Sequence, residues 1–368
     1  ELCERFGGEV INADAMQLYR GLPIVTNVAT ADERRGVPHH ALEVLDPATD
    51  RPFTVHDFIT TATTAIREVT ARGKMPVIVG GTNYYIEALL FRDTLAVEAE
   101  AGGPTTAAAA AEPAAAAAAA AGEWEGEKGE KTLHEQLAEV DPSMAERLHP
   151  NDARRIKRSL EVYRQGGVPH SAVLAAQSTT LRFDAVCCVW VGCDQSVLDT
   201  RLDSRVDSML HQGLLAELES FRELCGVGAA EEVLPPPHPG EPDVDVDNVN
   251  VTAAAPDYTH GILQAIGFKE FAPYFDAQAR GEPTAPVLAE CIEEMKRRTR
   301  RYARKQTRWI TNRMLSHRHP GLHMYKVDST VPADWNASAR APATDFVQKW
   351  LDGHPPPGNC GEPGASAT

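Results

Sequence analysis

Apolar and polar positions change period several times along the chain, and each change marks an element. In "GEVINAD", around Val10, and "MPVIV", ending at Val79, apolar residues follow one another without the alternation of a half-exposed strand, so both read as strands buried on two faces. Between them "TVHDFITTATTAIREVTARG" spaces its apolar residues three and four apart, with Thr54 placed to cap a helix start and Gly73 its end. After Val79 come a glycine turn and a second helical pattern, "NYYIEALL". The resulting β-α-β-α order predicts an α/β fold, with a parallel sheet core flanked by helices. A helical stretch from Leu133 to about Gln165 follows, and "DAVCCVWVGC" (184–193) is expected to return to the sheet. Two long helices, "QSVLDTRLDSRVDSMLHQGLLAELESFREL" and "LAECIEEMKRRTRRYARKQTRWITNRML", complete the body.

Three segments break these periods. "TTAAAAAEPAAAAAAAAGEWEGEKGEK" has almost no large apolar side chain to bury, "GVGAAEEVLPPPHPGEPDVDVDNVNVTAAAPD" mixes prolines with acids, and "GHPPPGNCGEPGASAT" closes the chain. The expected organisation is a first core part over 1–95, an Ala-rich insert over 96–132 and a helical insertion over 133–182. A second core part with a basic C-terminal helix follows over 183–225 and 258–330, split by an acidic, Pro-rich insert over 226–257, with a tail over 331–368 that is largely disordered at its end.

Composition adds constraints. A 43% hydrophobic content in 368 residues supplies a sizeable core. The seven cysteines form no C-x-x-C pair, which predicts reduced thiols and neither a disulfide framework nor a zinc site. No apolar run reaches the roughly 18 residues of a membrane span, so no membrane partner is expected. The sequence opens on Glu1 rather than methionine, so no targeting signal is read from it, and cytosol and mitochondrion both stay open. The net charge of −16 argues on average against a nucleic-acid partner, but much of it sits in the two inserts and their flanks. Its distribution therefore decides more than its sum.

Ligands of open α/β sheets bind beyond the carboxyl ends of the strands, where Asp14 and the turn Gly80-Gly81-Thr82 both fall. Asp14 reads equally as a cap for the segment after it or as a general base, with Gln17 able to offer a donor and an acceptor to a planar base. The glycine turn reads as a tight turn capped by Thr82 or as an anion cradle of free N–H groups at a helix start. Two basic segments stand out: "RRIKR" (154–158) and "KRRTRRYARKQTRW" (296–309), the latter carrying eight cations interleaved with Tyr302 and Trp309. Together they suggest phosphate contacts, against the alternative of solvated helical faces. Gly267, followed by Lys269, allows a close approach to RNA backbone or simply a helix end. His39 and His40 have no metal-ligating partner at a fitting spacing, and read as a polar loop with one partly packed histidine.

Taken in order, "GGEVINADAMQLYRGLPIVTN", "VPHHALEVLDP", "GKMPVIVGGTNYYIEALL", "HPNDARRIKRSLEVYRQGG", "HGILQAIGFKEF" and "RRYARKQTRWI" resemble the landmarks of the tRNA dimethylallyltransferase (isopentenyltransferase) family, in its eukaryotic form. The resemblance implies a P-loop-NTPase-like core with a helical insertion domain. It implies transfer of a dimethylallyl group from dimethylallyl diphosphate to N6 of the adenosine 3′ to a tRNA anticodon, with Mg²⁺ assisting. By residue-by-residue match, Asp14 is the base and Thr82 its catalytic companion, with Gly80, Gly81 and Thr82 binding diphosphate. Ala15, Met16 and Gln17 contact the adenosine, and Arg154, Arg155, Arg158, Gln264, Gly267, Phe268 and Lys269 contact the tRNA anticodon stem-loop. The basic helix adds Arg304 and Lys305, and a monomer is expected.

The match departs from the family at several positions. The P-loop, G-x-x-x-x-G-K-S/T, which the family places just ahead of the segment matching the opening residues, is absent, so the chain as given is expected to hold less of its diphosphate site than of its RNA site. Ala15 replaces a usual serine, Val28 a common lysine, and Cys360 alone builds no C-terminal zinc finger. A non-catalytic tRNA-binding protein and an adenylate isopentenyltransferase are the competing expectations; "RRIKR" weighs against the latter.

Overall fold

The computed structural model describes residues 1–48, 51, 53–92, 131–176, 180–224, 258, 261–315 and 321–354. The expected Ala-rich and acidic inserts and the end of the tail lie mostly or wholly outside these residues. The rest divides into two compact units, 1–86 with 185–368, and 87–184.

The first unit opens with α1 (Leu2–Phe6) and β1 (Gly8–Asn12), joined through Gly7 in the left-handed region at φ 64°. A 3₁₀ turn (Met16–Leu18), α2 (Ala31–Arg34) and β2 (His39–His40) follow. Then come α3 (Val55–Ala71), β3 (Met75–Val79) and α4 (Asn83–Leu90), whose last turns cross into the second unit. Strand order is β2-β1-β3, all parallel, with Gly8 to Asn12 facing Met75 to Val79 in register. Thr54 and Asp57 form a reciprocal capping box at the start of α3, and Phe58 and Val69 on its inner face are completely buried. Phe58 stacks on Tyr85 at 4.6 Å between ring centroids, which ties α3 to α4.

His39 and His40 lie in β2 rather than in a loop. His40 Nε2 meets Glu9 Oε2 at 2.7 Å, and Glu9 also binds Arg72 at 2.6 Å and Lys74 at 3.1 Å. A carboxylate only 3% exposed on the central strand is tolerated because these basic groups surround it.

The second unit packs four helices: α5 (Leu133–Val140), α6 (Pro142–Arg147), α7 (Ala153–Gly166) and α8 (His170–Ala176). The single stretch expected from Leu133 is thus interrupted. Asp141 ends α5 and caps α6 through Met144 N–H at 3.0 Å, while Ser171 donates to the same carboxylate from N–H at 2.7 Å and Oγ at 2.6 Å. Leu137, Met144, Ile156 and Leu160 form the core of this bundle.

The chain re-enters the first unit at β4 (Val186–Gly192) and α9 (Gln195–His211), continuing to α10 (Leu214–Leu224). A 3₁₀ turn (Gly261–Gln264) precedes α11 (Phe268–Ala279) and α12 (Thr284–Trp309), a short π turn (Ile310–Met314) extends α12, and β5 (Leu322–Asp328) and α13 (Ala341–Leu351) close the fold. Contrary to expectation, β4 does not join the first sheet. It pairs in parallel with β5 over seven residues, Val186 to Gly192 against Leu322 to Asp328. The β5 partner, "LHMYKVD", alternates buried and open positions, and α13 covers it through Phe346 stacked on Tyr325. Burial pushes the thiols of Cys187 and Cys188 up to about 12, and both are free. Among the described residues no helix is long and apolar enough to cross a membrane.

Candidate active site

The carboxyl ends of β1 and β3 are stitched together by main chain. Ala13 N–H donates to Val79 O at 2.7 Å and Thr82 N–H returns to Ala13 O at 3.2 Å. A Cβ on Gly80 would lie 2.2 Å from the Ala13 carbonyl carbon and 2.7 Å from Asp14 N, so only glycine permits this crossing. The turn brings Thr82 beside the Asp14 loop, where Thr82 Oγ1 accepts from Ala15 N–H at 2.9 Å. From the strand below, Asn12 accepts from Asp14 N–H at 2.9 Å and donates to Asp14 O at 3.0 Å and to Ala41 O at 2.9 Å. The backbone around Asp14 is therefore held from two directions.

Asp14 folds its carboxylate back onto the turn that follows it. Oδ1 accepts from Met16 N–H at 2.9 Å, a side-chain turn two residues long that leads into the 3₁₀ turn, whose N-cap is Ala15. Burial is the largest influence on the carboxyl and raises it above the usual aspartate value; the Met16 and Gln17 amides and the Arg205 cation pull the other way. Arg205, on α9, is drawn below the ordinary guanidinium value by burial, with Asp14 opposing that shift. The phenol of Tyr302, on α12, is raised by burial first and by Asp14 second, with Gln306 and Thr82 pulling the other way. Arg205, Tyr302 and Gln306 were not among the residues singled out for this site from sequence. Tyr302 and Gln306 lay inside the stretch "RRYARKQTRWI" quoted for the resemblance, whereas Arg205 carried no sign beyond its place on a long helix.

The anion-cradle expectation changes. Thr82 N–H is already bonded to Ala13 O, Asn83 N–H to Gly81 O at 3.0 Å, and Tyr85 N–H to Thr82 O at 2.9 Å. These amides are committed to the turn, and the cation whose charge is felt at Asp14 is Arg205. Gln17 is likewise engaged: Nε2 donates to Thr26 O at 3.2 Å and Asn27 O at 3.1 Å, so the amide carbonyl is what remains to meet a base. That loop is anchored in turn by Glu217, which accepts from Ile24 N–H at 2.9 Å and Val25 N–H at 2.8 Å.

The basic helix divides into two faces. Asp199, Asp203 and Asp207 recur every fourth residue on α9 and pair with Arg304, Arg300 and Lys296 of the antiparallel α12, the last at 2.7 Å. Arg297 and Arg298 pair with Glu294. Arg304 is thus part of an ion-pair ladder rather than an open phosphate contact. Arg301, Lys305 and Arg308, spaced four and three apart, are exposed and make no ion pair among the described residues.

Of the other expected RNA contacts, Gln264 and Lys269 are exposed. Phe268 is not: it is 4% exposed and packs edge-on against Phe221 at 5.0 Å, so its side chain belongs to the core. Gly267 starts α11 at φ 132°, donates its N–H to Glu270 at 2.8 Å, and leaves room for Val25, which a Cβ would meet at 2.8 Å. Its glycine is thus explained as a helix start. In the second unit, Arg155 (71% exposed) pairs with Asp152 at 3.5 Å and Arg158 with Glu161 at 3.7 Å, both on α7 with Arg154. Among the described residues no group of three or more His, Cys, Asp and Glu is arranged to hold a metal ion.

The IPP transferase family matches residues 17–313. Over 97% of its length the chain is 37% identical to the tRNA dimethylallyltransferase of Mus musculus and 38% to that of Homo sapiens, covering 72% of each. A crystal structure of a eukaryotic dimethylallyltransferase acting on tRNA superposes with a TM-score of 0.72 at 29% identity, over 97% of this chain and 76% of that one.

Proposed function

Because the chain belongs to the IPP transferase family, with relatives that are tRNA dimethylallyltransferases, we propose that it is a prenyltransferase that moves a dimethylallyl group from dimethylallyl diphosphate to N6 of the adenosine 3′-adjacent to the anticodon of tRNA. The observation that carries this reading is Asp14, a partly buried carboxylate at the sheet edge whose loop is fixed by Thr82 and Asn12.

In the reaction the N6 amine attacks the allylic carbon, the bond from that carbon to diphosphate oxygen breaks, and diphosphate departs with the electron pair. The exocyclic amine is a weak nucleophile, and Asp14 takes its proton as the new C–N bond forms. Burial suits this role, because a raised carboxyl is a stronger base than an exposed one. Arg205 offsets the charge that grows on the departing oxygen, and Thr82 offers a hydroxyl to it. No step is assigned to Mg²⁺.

A stacked adenine does not reach a recessed carboxylate, so the base must leave the anticodon stack. The open stripe of Arg301, Lys305 and Arg308 suits the phosphates of such a loop. The experiment is incubation of the full-length gene product with dimethylallyl diphosphate and either an anticodon stem-loop or free adenosine monophosphate, followed by mass spectrometry of the nucleosides. Prenylated adenosine from the stem-loop alone supports the reading; product only from the mononucleotide, or from neither, overturns it.

A further inference from the structure

Glu217 has no part in the chemistry above, yet a chain of hydrogen bonds runs from it to the side-chain amide of Gln17. Residues 22–28 fold into one tight turn: Thr26 N–H donates to Leu22 O at 3.2 Å, Asn27 N–H to Ile24 O at 3.1 Å and Val28 N–H to Pro23 O at 3.0 Å, while Thr26 Oγ1 donates to Leu22 O at 2.7 Å. Such a turn leaves its first amides without internal partners. Glu217, 193 positions from Ile24 and on α10, supplies the acceptors: Oε2 takes Ile24 N–H at 2.9 Å and Oε1 takes Val25 N–H at 2.8 Å. At the far end of the turn the carbonyls of Thr26 and Asn27 both accept from Gln17 Nε2. Asn27 closes the turn at φ 54°, a left-handed conformation that asparagine tolerates, and Val25 is buried in the space left by Gly267. Among the described residues no basic side chain pairs with Glu217, so the two amides are what this partly buried carboxylate meets.

We infer that Glu217 is a positioning residue: by holding the amino end of the 22–28 turn it fixes the two carbonyls that lock Gln17 Nε2, and so keeps the Gln17 carbonyl oxygen available to the adenine amine. This inference rests on the prenyl-transfer reading. Turned over, the Gln17 amide would set its oxygen against two carbonyl oxygens, so the lock selects one of its two orientations. An acceptor in that place suits the N6–H of adenine, whereas guanine presents O6 there.

The test compares wild type with Glu217→Gln in the full-length gene product. Gln keeps the length but offers one acceptor oxygen in place of two, and single-turnover transfer is expected to slow about tenfold while stem-loop Kd changes by less than about threefold. Because Glu217 acts through Gln17, the double variant Glu217→Gln with Gln17→Met is expected to be no slower than Gln17→Met alone. Exchange of the Gln17 side-chain amide protons, read by NMR without substrate, is expected to quicken about tenfold in Glu217→Gln and to stay unchanged in the control Glu219→Gln, at an exposed position of the same helix. If Glu217→Gln does not fold, Glu217→Asp, one methylene shorter, takes its place with the same expectations. An undiminished rate in an active enzyme, a loss of binding equal to the loss of rate, losses that multiply in the double variant, or unchanged Gln17 exchange overturns the inference. If wild type transfers nothing, the prenyl-transfer reading falls, while Gln17 exchange still decides whether Glu217 holds the amide.

Discussion

Thr82 Oγ1 accepts a hydrogen bond from the Ala15 amide at 2.9 Å, joining positions 67 residues apart at the ends of two adjacent strands. The bond sets the geometry of Asp14 without touching its carboxylate. Thr82→Val keeps the volume but removes the acceptor, and is expected to lower single-turnover transfer by roughly 100-fold. Thr82→Ser restores the acceptor and is expected to recover most of the rate.

Asp14 must be ionised to accept a proton, and burial raises its carboxyl. The acid limb of the single-turnover rate is therefore expected above the ordinary aspartate value of about 3.9, with activity rising as the carboxyl ionises. The same shift has a cost in stability. A folded-state value above the unfolded one means that the folded protein loses stability as pH rises through the interval between them. Asp14→Asn is accordingly expected to raise Tm at neutral pH, and a lowered Tm would contradict this.

Glu9 behaves in the opposite sense. His40 first, then Arg72, hold its carboxyl down to about 2. Its contribution to stability is full above the unfolded value of about 4.3 and is lost as pH falls toward the folded one. Glu9→Gln is expected to lower Tm at pH 7 and to flatten the fall in Tm between pH 5 and 2, as measured by circular dichroism at about these values.

The ladder between α9 and α12 separates structural cations from available ones. Lys305→Ala is expected to weaken stem-loop binding and to reduce the log-log salt slope by about 0.7, whereas Arg304→Ala leaves Asp199 with Gln195 as a hydrogen-bond partner and affects the slope less. Each rung is partly exposed, so each is expected to contribute no more than about 1 kcal/mol to stability, falling with added salt.

In the second unit Asp141 receives hydrogen bonds from Met144 and twice from Ser171. Asp141→Ala removes an N-cap and strands the Ser171 hydroxyl, for an expected loss of roughly 2–3 kcal/mol in denaturant unfolding. Asp141→Asn is expected to lose less.

Much of this was legible locally. Uninterrupted apolar runs announced β1 and β3, Thr54 and Gly73 bounded α3, and Asp14 and Gly80-Gly81-Thr82 drew notice because strand ends are where such folds bind ligands. Residues that reach the site from afar were less so. Arg205, Tyr302 and Gln306 arrive on helices whose facing sides are fixed only by packing. The charges of the ladder recur every fourth residue in both helices, but their pairing needs the antiparallel register of α9 and α12. Phe268 and Gly267 sat in an RNA-like motif, and packing against Phe221 and Val25 accounts for both. The strand at 186–192 is apolar enough for either sheet, and its partner, β5, lay in a segment with no assigned element.

The most direct measurement is the pair of values, stem-loop Kd and single-turnover transfer rate, for wild type and Asp14→Asn in the full-length gene product. If Asp14 is the base, the rate falls by at least about 100-fold while Kd stays within a factor of two or so. An undiminished rate, or a loss of rate matched by an equal loss of binding, would contradict the account.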